Sequence, residues 1–289
     1  MLEDRADVQT GGTPAQERDE LERLEIQLLL EAIVRRYGFD FREYAPASLK
    51  RRLWRRAYAE KVETMSALQD RVLHDPAVME RLLLDLSINV TSMFRDPTFF
   101  KALREKVVPH LRTYPFIRIW NAGCSTGEET FSLAILLREE GLYDRARIYA
   151  TDINEAVLGR ARAGAFPLEK MRVYTENYIR AGGTESFSSY YTTDGDTARF
   201  KPELLEQVVF AQHNLVSDAP FNEFNMIVCR NVMIYFGKKL QDRVHELFYE
   251  SLDPFGILAL GHKESIKFSP YEGRFEALDA PEKLYRKMW

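Results

Sequence analysis

The chain has 289 residues, of which 45% are hydrophobic and 29% are charged, and its formal net charge is −4. This composition predicts a packed core in water, and the acidic balance argues against a general nucleic-acid-binding protein. The two cysteines and five histidines lack the spacing of metal ligands, and no run approaches the roughly 18 apolar residues of a membrane span.

The N-terminal segment, residues 1–16, is polar and includes a Gly-Gly-Thr-Pro run at residues 11–14. It lacks the apolar core of a signal peptide. We therefore expect a disordered tail over these residues and a cytoplasmic protein.

Residues 17–88 carry a helical pattern that predicts an all-α N-terminal domain. In the first helix, which Gly38 ends, one stripe holds Leu21, Leu24 and Leu28. A neighbouring stripe holds Ile26, Leu29, Ile33 and Tyr37. Three more helices are predicted over residues 48–61, with Ser48 as N-cap, 65–74 and 77–86.

From residue 116 onward, short apolar strands alternate with helices, which predicts an α/β fold with a mostly parallel sheet. The predicted strands cover residues 117–121, 147–151, 207–211, 226–229 and 257–260. The predicted helices run over 128–140, over 154–164 with Asn154 as cap, and up to a stop at Asp253-Pro254-Phe255-Gly256. Residues 275–278 and 284–287 suit an antiparallel hairpin at one edge of the sheet.

The stretch from about 166 to 202 interrupts this alternation and is rich in Tyr, Thr, Ser and Gly. Its pattern indicates short antiparallel strands, with a tight turn at Asp194-Gly195-Asp196. We interpret it as an inserted β-subdomain; an ordered surface loop is the alternative.

A glycine-containing turn follows the predicted strand 117–121 and opens a helix whose first turn carries Glu128 and Glu129. Glycine allows close backbone approach to a ligand, and the helix N-terminus offers free N–H groups. The run lacks Gly-x-Gly-x-x-Gly, and no lysine follows Gly127, so neither the dinucleotide fingerprint nor a P-loop is present. The two glutamates suit a cationic ligand, or they only compensate the helix dipole.

Asp152 ends the second predicted strand of this region. A doubly wound fold places there the acidic residue that accepts hydrogen bonds from ribose hydroxyls. The alternative is that Asp152 helps to cap the next helix.

Four runs together resemble the chemotaxis receptor methyltransferase family (CheR-type): residues 87–95, 123–129, 150–153 and 227–236. The Cys-Arg-Asn-Val-Met-Ile-Tyr-Phe run that ends the last of them is highly specific, and the similarity covers roughly residues 20–289. The departures, at Val90, Met93, Thr130-Phe131 and Lys263, remove no charge that the mechanism needs.

The resemblance implies a Rossmann-like domain over residues 99–289 that depends on S-adenosylmethionine (SAM), with the β-subdomain inside it and a linker, residues 89–98, that contacts the cofactor. It implies S-adenosylhomocysteine as product and no metal. The cofactor-binding residues that it implies are Asn89, Thr91, Arg95, Gly123, Glu129, Asp152, Asn214, Leu215, Arg230 and Asn231.

The implied reaction esterifies glutamate side chains of chemotaxis-type receptors, which tunes receptor signalling. A glutamate with a reference pKa of about 4.3 is already ionised at neutral pH, so the reaction needs no general base. Arg95 and Tyr235 are the implied catalytic residues: Arg95 orients the carboxylate or, alternatively, binds the cofactor's own carboxylate. The alternative functions are methyl transfer to another acidic substrate and a non-catalytic SAM-binding adaptor.

The predicted helix 48–61 carries six cations and one anion. In the family, the corresponding helix faces acidic methylation helices of receptors, so the resemblance implies a substrate-binding role for Lys50, Arg51, Arg52, Arg55 and Arg56. A solvated helix face and an RNA-binding surface are the alternatives.

The loop around Asp194-Gly195-Asp196 is short compared with that of family members that bind a C-terminal pentapeptide tether of the receptor. We therefore expect an enzyme that does not use such a tether. We also expect a monomer that binds no nucleic acid and does not insert into a membrane.

Overall fold

The computed structural model describes residues 13–87 and 91–289, and the chain divides into two compact units, Met1–Leu86 and Ser87–Trp289. The described residues of the first unit form four helices: α1 (Pro14–Tyr37), α2 (Pro46–Ala59), α3 (Met65–His74) and α4 (Pro76–Leu86). Helix α1 packs against α3, and α2 packs against α4. The predicted all-α domain is confirmed.

Helix α1 begins earlier than the sequence pattern predicts, so the expected tail over residues 1–16 is wrong for its last three residues. Thr13 and Gln16 form a capping box, which stabilises a helix start at Pro14. The Leu21, Leu24 and Leu28 stripe is exposed, and the buried face of the helix lies on the neighbouring stripe with Leu29 and Ile33. Apolar periodicity located the helix correctly but could not decide which stripe faces the core.

The second unit contains, in its described residues, a seven-stranded sheet in the order β6-β2-β1-β7-β8-β10-β9. The strands are β1 (Ile117–Ala122), β2 (Ala146–Asp152), β6 (Val208–Gln212), β7 (Phe224–Cys229), β8 (Leu252–Leu260), β9 (Phe275–Asp279) and β10 (Leu284–Lys287). The first five strands in this order are parallel to one another. Strand β10 pairs antiparallel with both β8 and β9, so β9 and β10 form the predicted antiparallel hairpin at one edge.

The parallel strands are connected by helices, which brings their carboxyl ends to one edge of the sheet. The helices of this unit are α5 (Pro97–Ala102), which continues through a π-helical turn (Leu103–Val107) into α6 (Val108–Leu111), then α7 (Glu128–Glu139), α8 (Glu155–Ala163), α9 (Met171–Arg180) and α10 (Lys238–Ser251). Asn154 caps α8 and Gly164 ends it, as predicted.

Two element boundaries differ from the prediction. Helix α2 begins at Pro46 rather than at a Ser48 cap, because proline is well suited to the first helical position. The predicted stop at residues 253–256 lies inside β8, which tolerates Pro254 at a register irregularity.

The inserted subdomain contains a three-stranded antiparallel sheet, β3-β5-β4, formed by β3 (Ala165–Pro167), β4 (Tyr191–Asp194) and β5 (Thr197–Phe200). Between β3 and β4 lies helix α9, where the composition predicted further strands. Met171, Tyr174 and Tyr178 recur at helical spacing and are buried, so tertiary packing overrides the strand preference of a Tyr- and Thr-rich segment. Within residues 13–87 and 91–289, none of the helices has the length and apolar character that crossing a membrane requires.

Candidate active site

The turn between β1 and α7 is held against the end of β2 by backbone hydrogen bonds. The N–H groups of Gly123 and Cys124 donate to the Thr151 carbonyl at 2.8 and 2.9 Å. Gly123 has a φ of 77°, and a Cβ on it would lie 2.4 Å from Cγ2 of Val232. Glycine is therefore required here both for backbone conformation and for the close approach of the loop after β7.

Asp152 stands at the end of β2 with its side chain buried beside this turn. Its Oδ2 accepts a hydrogen bond from the Ser125 N–H at 2.9 Å, and its Oδ1 accepts one from the Asn154 N–H at 3.0 Å. Burial raises the pKa of Asp152, while these backbone donors act in the opposite direction. Each oxygen keeps acceptor capacity for a further donor, such as a ribose hydroxyl. The side chain that caps α8 is Asn154, which accepts from the Ala156 N–H at 2.9 Å.

Glu129 belongs to a polar cluster that surrounds the buried Arg230 side chain. Its carboxylate accepts from Asn121 Nδ2 and from Arg230 Nη1, both at 2.8 Å. Nη2 of Arg230 donates to Asp96 Oδ2 at 2.6 Å, and the guanidinium lies 3.9 Å from the centroid of the Phe99 ring. Two carboxylates share one guanidinium, so the formal charges of the cluster do not cancel and leave an excess of negative charge.

Glu128, its neighbour, points elsewhere and is almost completely buried. Its carboxylate accepts from Thr126 Oγ1 at 2.6 Å and from the Tyr174 hydroxyl at 3.2 Å. Burial, with Glu128 nearby, raises the pKa of Tyr174 well above its ordinary value. The two glutamates of the first turn of α7 therefore have different roles: Glu128 anchors α9, whereas Glu129 joins the strand-end cluster.

Arg95 lies on a short segment that is fixed on both sides. Phe94 and Asp96 have φ angles of 48° and 56°, which are uncommon for residues other than glycine. The Phe94 N–H donates to Ser132 Oγ at 2.8 Å, and Asp96 is held by Arg230. Strained backbone of this kind persists only where the surroundings determine it, and it is concentrated at functional sites. Thr91, at the start of this segment, is half-buried, whereas Asn89 lies outside the described residues.

The loop after β7 carries Asn231 and a single helical turn that ends at Tyr235, which is half-buried. The carboxylate of Glu264, from the loop after β8, accepts hydrogen bonds from the N–H groups of Asn231, Val232 and Met233 at 2.7–2.9 Å. Burial raises the pKa of Glu264, and the backbone donors act against that effect. The sequence analysis did not single out Glu264 and missed this role.

Asn214 and Leu215 follow β6 and lie next to the end of β2, because the His213 N–H donates to the Asp152 carbonyl at 3.1 Å. Asn214 Oδ1 accepts from the Val216 N–H at 3.0 Å, which shapes the turn around Leu215. The structure thus brings Gly123, Asp152, Asn214 and Leu215 to the carboxyl ends of β1, β2 and β6.

The basic residues of α2 do not form one surface, and two of the predicted substrate-binding residues have side chains that are turned inward. Arg52 is 6% exposed and donates from Nη1 to the Leu86 carbonyl at 2.6 Å, so it satisfies the C-terminus of α4. Arg56 is also turned inward and pairs with Glu60 and Asp85. A charge run in sequence cannot show which of its members reach into the helical bundle.

The other three cations of α2 are exposed. Lys50 forms a salt bridge with Glu22 at 2.8 Å, and Arg55, with a side chain that is 65% exposed, pairs with Asp85. Lys50, Arg51 and Arg55 therefore remain the candidates for contact with an acidic partner.

Comparison with known proteins divides the chain into the same two parts as the structure, a helical part and a part that contains the seven-stranded sheet. The family model described as "CheR methyltransferase, all-alpha domain" matches residues 24–87, and that described as "CheR methyltransferase, SAM binding domain" matches residues 89–283. The Pseudomonas putida protein Cher3, provisionally named a methyltransferase, is 52% identical over 264 residues, which cover 91% of this chain and 97% of Cher3.

More distant relatives carry more specific names. Chemotaxis protein methyltransferase 2 of Pseudomonas aeruginosa is 31% identical over 253 residues, covering 84% of this chain and 87% of the relative. The chemotaxis protein methyltransferase of Listeria innocua is 30% identical over 236 residues, covering 81% and 87%.

Proposed function

The chain belongs to the CheR methyltransferase family, and on that basis we propose that it transfers methyl from SAM to glutamate side chains of chemotaxis-type receptors. The observation that carries the proposal is the cluster of Asp96, Glu129 and Arg230, which ties the Arg95 segment to the ends of β1 and β7. The names of the relatives at about 30% identity support a receptor substrate.

The residues at the strand ends fit SAM by their chemistry. Asp152 offers carboxylate oxygens for the ribose hydroxyls, and Gly123 allows the backbone to approach the ligand. The net negative cluster around Glu129 suits a ligand that carries a sulfonium and an ammonium group. We assign Asn214 and Leu215 to the adenine, and Asn89, Thr91 and Asn231 to further cofactor contacts.

The reaction requires an ionised acceptor and accurate positioning. When bound, SAM supplies a methyl group activated by its sulfonium, and S-adenosylhomocysteine remains as product. A glutamate acceptor is already a carboxylate at neutral pH, so none of the residues assigned here has to remove a proton. Arg95 would pair with the acceptor and orient it, with Tyr235 nearby, and orientation alone can contribute roughly 7–11 kcal/mol.

Receptor recognition is assigned to the exposed cations of α2, namely Lys50, Arg51 and Arg55. The methylation helices of such receptors are acidic, and a positive surface accelerates encounter with a negative partner. Arg52 and Arg56 are left out of this surface because they are committed to partners inside the helical unit.

We further propose that binding needs no receptor tether. Asp194 pairs with Thr197, so only Gly195 and Asp196 connect β4 and β5, and this two-residue turn offers little backbone to surround a docked peptide. Titration with a tether-type pentapeptide should not saturate up to about a millimolar. A dissociation constant in the low micromolar range, about −8 kcal/mol, would contradict this expectation.

The decisive experiment incubates the protein with methyl-labelled SAM and purified cytoplasmic receptor fragments. Label that is released as methanol by mild base, and that is absent from fragments with glutamine in place of the acceptor glutamates, supports the proposal. Base-stable label, or label only on other acidic substrates, would favour a different acceptor. SAM binding without any turnover would indicate an adaptor.

The matched variant for this assay is Arg95→Ala. Its turnover should fall at least tenfold, or about 1.4 kcal/mol, with little change in the midpoint of thermal unfolding. A smaller loss would show that Arg95 orients neither reactant.

A further inference from the structure

Glu264 lies in the loop after β8, and its side chain is buried. Its Oε1 accepts hydrogen bonds from the N–H groups of Val232 and Met233 at 2.8 and 2.7 Å, and its Oε2 accepts from Asn231 and Gly261 at 2.9 and 2.7 Å. Three of these four donors are consecutive residues of the loop after β7. One carboxylate thus supplies the partners that regular secondary structure would otherwise provide for this buried backbone.

These hydrogen bonds hold a backbone conformation that is unfavourable by itself. Asn231 has a φ of 63°, in the left-handed region. A Cβ on Gly261 would lie 2.7 Å from Glu264 Oε2 and 2.9 Å from the Asn231 nitrogen. The loops after β7 and β8 are therefore in close van der Waals contact, with the Glu264 carboxylate between them. Gly261 makes this approach possible because it has no Cβ.

The loop that Glu264 holds reaches two parts of the site. The Val232 side chain packs against the glycine turn after β1, so closely that a Cβ on Gly123 would lie 2.4 Å from Cγ2 of Val232. The Val232 carbonyl accepts from the Tyr235 N–H at 3.4 Å, which begins the single helical turn that presents Tyr235. The position of Val232 thus influences both the glycine turn and Tyr235.

We propose that Glu264 is a positioning residue for methyl transfer, which holds residues 231–235 so that Tyr235 and the glycine turn keep the geometry that the reaction needs. This inference rests on the proposed function, which places Tyr235 near the transferred methyl group. Because orientation supplies a large part of the rate, a small displacement of Tyr235 lowers kcat more than it lowers cofactor affinity.

The test is Glu264→Gln, which keeps the size of the side chain. A glutamine has one acceptor oxygen, so its amide N–H₂ group must face one of the two pairs of backbone donors. We expect kcat on receptor fragments to fall at least tenfold, with the receptor KM and the SAM dissociation constant each within threefold of the parent. Amide hydrogen exchange at residues 231–235 should become faster.

Lys287→Met is the control for a variant that lowers the stability of the protein but does not displace residues 231–235. Lys287 is buried and donates to the Tyr249 and Leu252 carbonyls at 2.8 and 2.7 Å, so its loss should lower stability and leave kcat unchanged. If Glu264→Gln keeps kcat within twofold of the parent, or if both variants lose kcat in proportion to stability, the proposal is overturned.

Glu264→Asp keeps both carboxylate oxygens and serves if the glutamine variant does not fold. It should retain part of the parent's kcat. A folded Glu264→Asp variant without measurable kcat would contradict the proposal. If the parent methylates no receptor fragment, the proposed function fails by itself. The inference is then decided by exchange at the Tyr235 amide, which must be faster in Glu264→Gln; an unchanged rate would overturn it.

Discussion

The guanidinium of Arg230 donates to the carboxylate of Glu129 at 2.8 Å, and this partly buried ion pair joins the end of β7 to the first turn of α7. Arg230 also binds Asp96, so a single side chain connects three separate segments of the site. The resemblance implies that Arg230 contacts the cofactor, and this stays a prediction; in the structure its guanidinium has two carboxylate partners. These ion pairs hold Glu129 and Asp96, the neighbour of Arg95 in the chain, in place.

Removing this guanidinium should destabilise the protein strongly. Arg230→Met keeps most of the side-chain volume but leaves Glu129 and Asp96 close together without a cation. We expect the free energy of unfolding to fall by about 3–5 kcal/mol, as measured by denaturant titration. Arg243→Met, at an exposed position of α10, should change it by no more than about 0.5 kcal/mol. Equal losses in the two variants would show that the cluster contributes little.

Local patterns in the sequence predicted much of this fold. The β1 turn, the Asn154 cap and the C-terminal hairpin follow from short-range signals such as apolar runs, caps and turn residues, and each is confirmed. Helix α9 was not predicted, because aromatic residues favour strands and only the packing of Tyr174 and Tyr178 favours a helix.

The candidate site was predicted less completely than the fold, for a physical reason. Motifs identified Asp152 and Arg230, but the partners of Arg230 are 101 and 134 positions away in the chain. Glu264 was missed for the same reason, since its hydrogen bonds to the loop after β7 join residues that are 31–33 positions apart in the chain. Hydrogen bonds over such separations leave no periodic signal in one sequence.

SAM binding should depend on Asp152. Asp152→Ala removes the acceptor assigned to the ribose, and we expect calorimetry to show binding weaker by about 1.5–3 kcal/mol, the range for hydrogen bonds to a charged group. Asn154→Ala is the control, because it removes the cap of α8 and about 1 kcal/mol of stability but not this acceptor. Unchanged affinity in Asp152→Ala would refute the ribose assignment.

Receptor methylation should depend on salt through the exposed cations of α2. Reversing the charges of Arg51 and Arg55 to glutamate should raise the receptor KM about fivefold, on the order of 1 kcal/mol, and flatten its dependence on ionic strength. SAM affinity should not change. The matched control reverses Arg23 and Arg35, which are exposed on α1. If both double variants behave alike, the effect is one of net charge and α2 has no specific role.

Stability should fall in mild acid because of His245. This side chain of α10 is buried, and within the described residues neither ring nitrogen has a hydrogen-bond partner. Burial lowers its pKa to about 4; Lys238 acts in the same direction and Asp242 against it. The unfolded chain, with an ordinary histidine pKa near 6.5, binds the proton more readily, so stability is complete above about pH 6.5 and is lost as the pH falls towards 4.

The expected contribution of His245 is a loss of about 3 kcal/mol in the free energy of unfolding between pH 7 and pH 4. It can be measured as the difference between the parent and His245→Leu, since leucine fills the site and does not titrate. His213, whose pKa burial also lowers, stays in both proteins and does not affect the difference. His74→Gln, at an exposed position of α3, should follow the parent profile. Parallel pH profiles for the parent and His245→Leu would mean that His245 is already charged, or reaches water, in the folded protein.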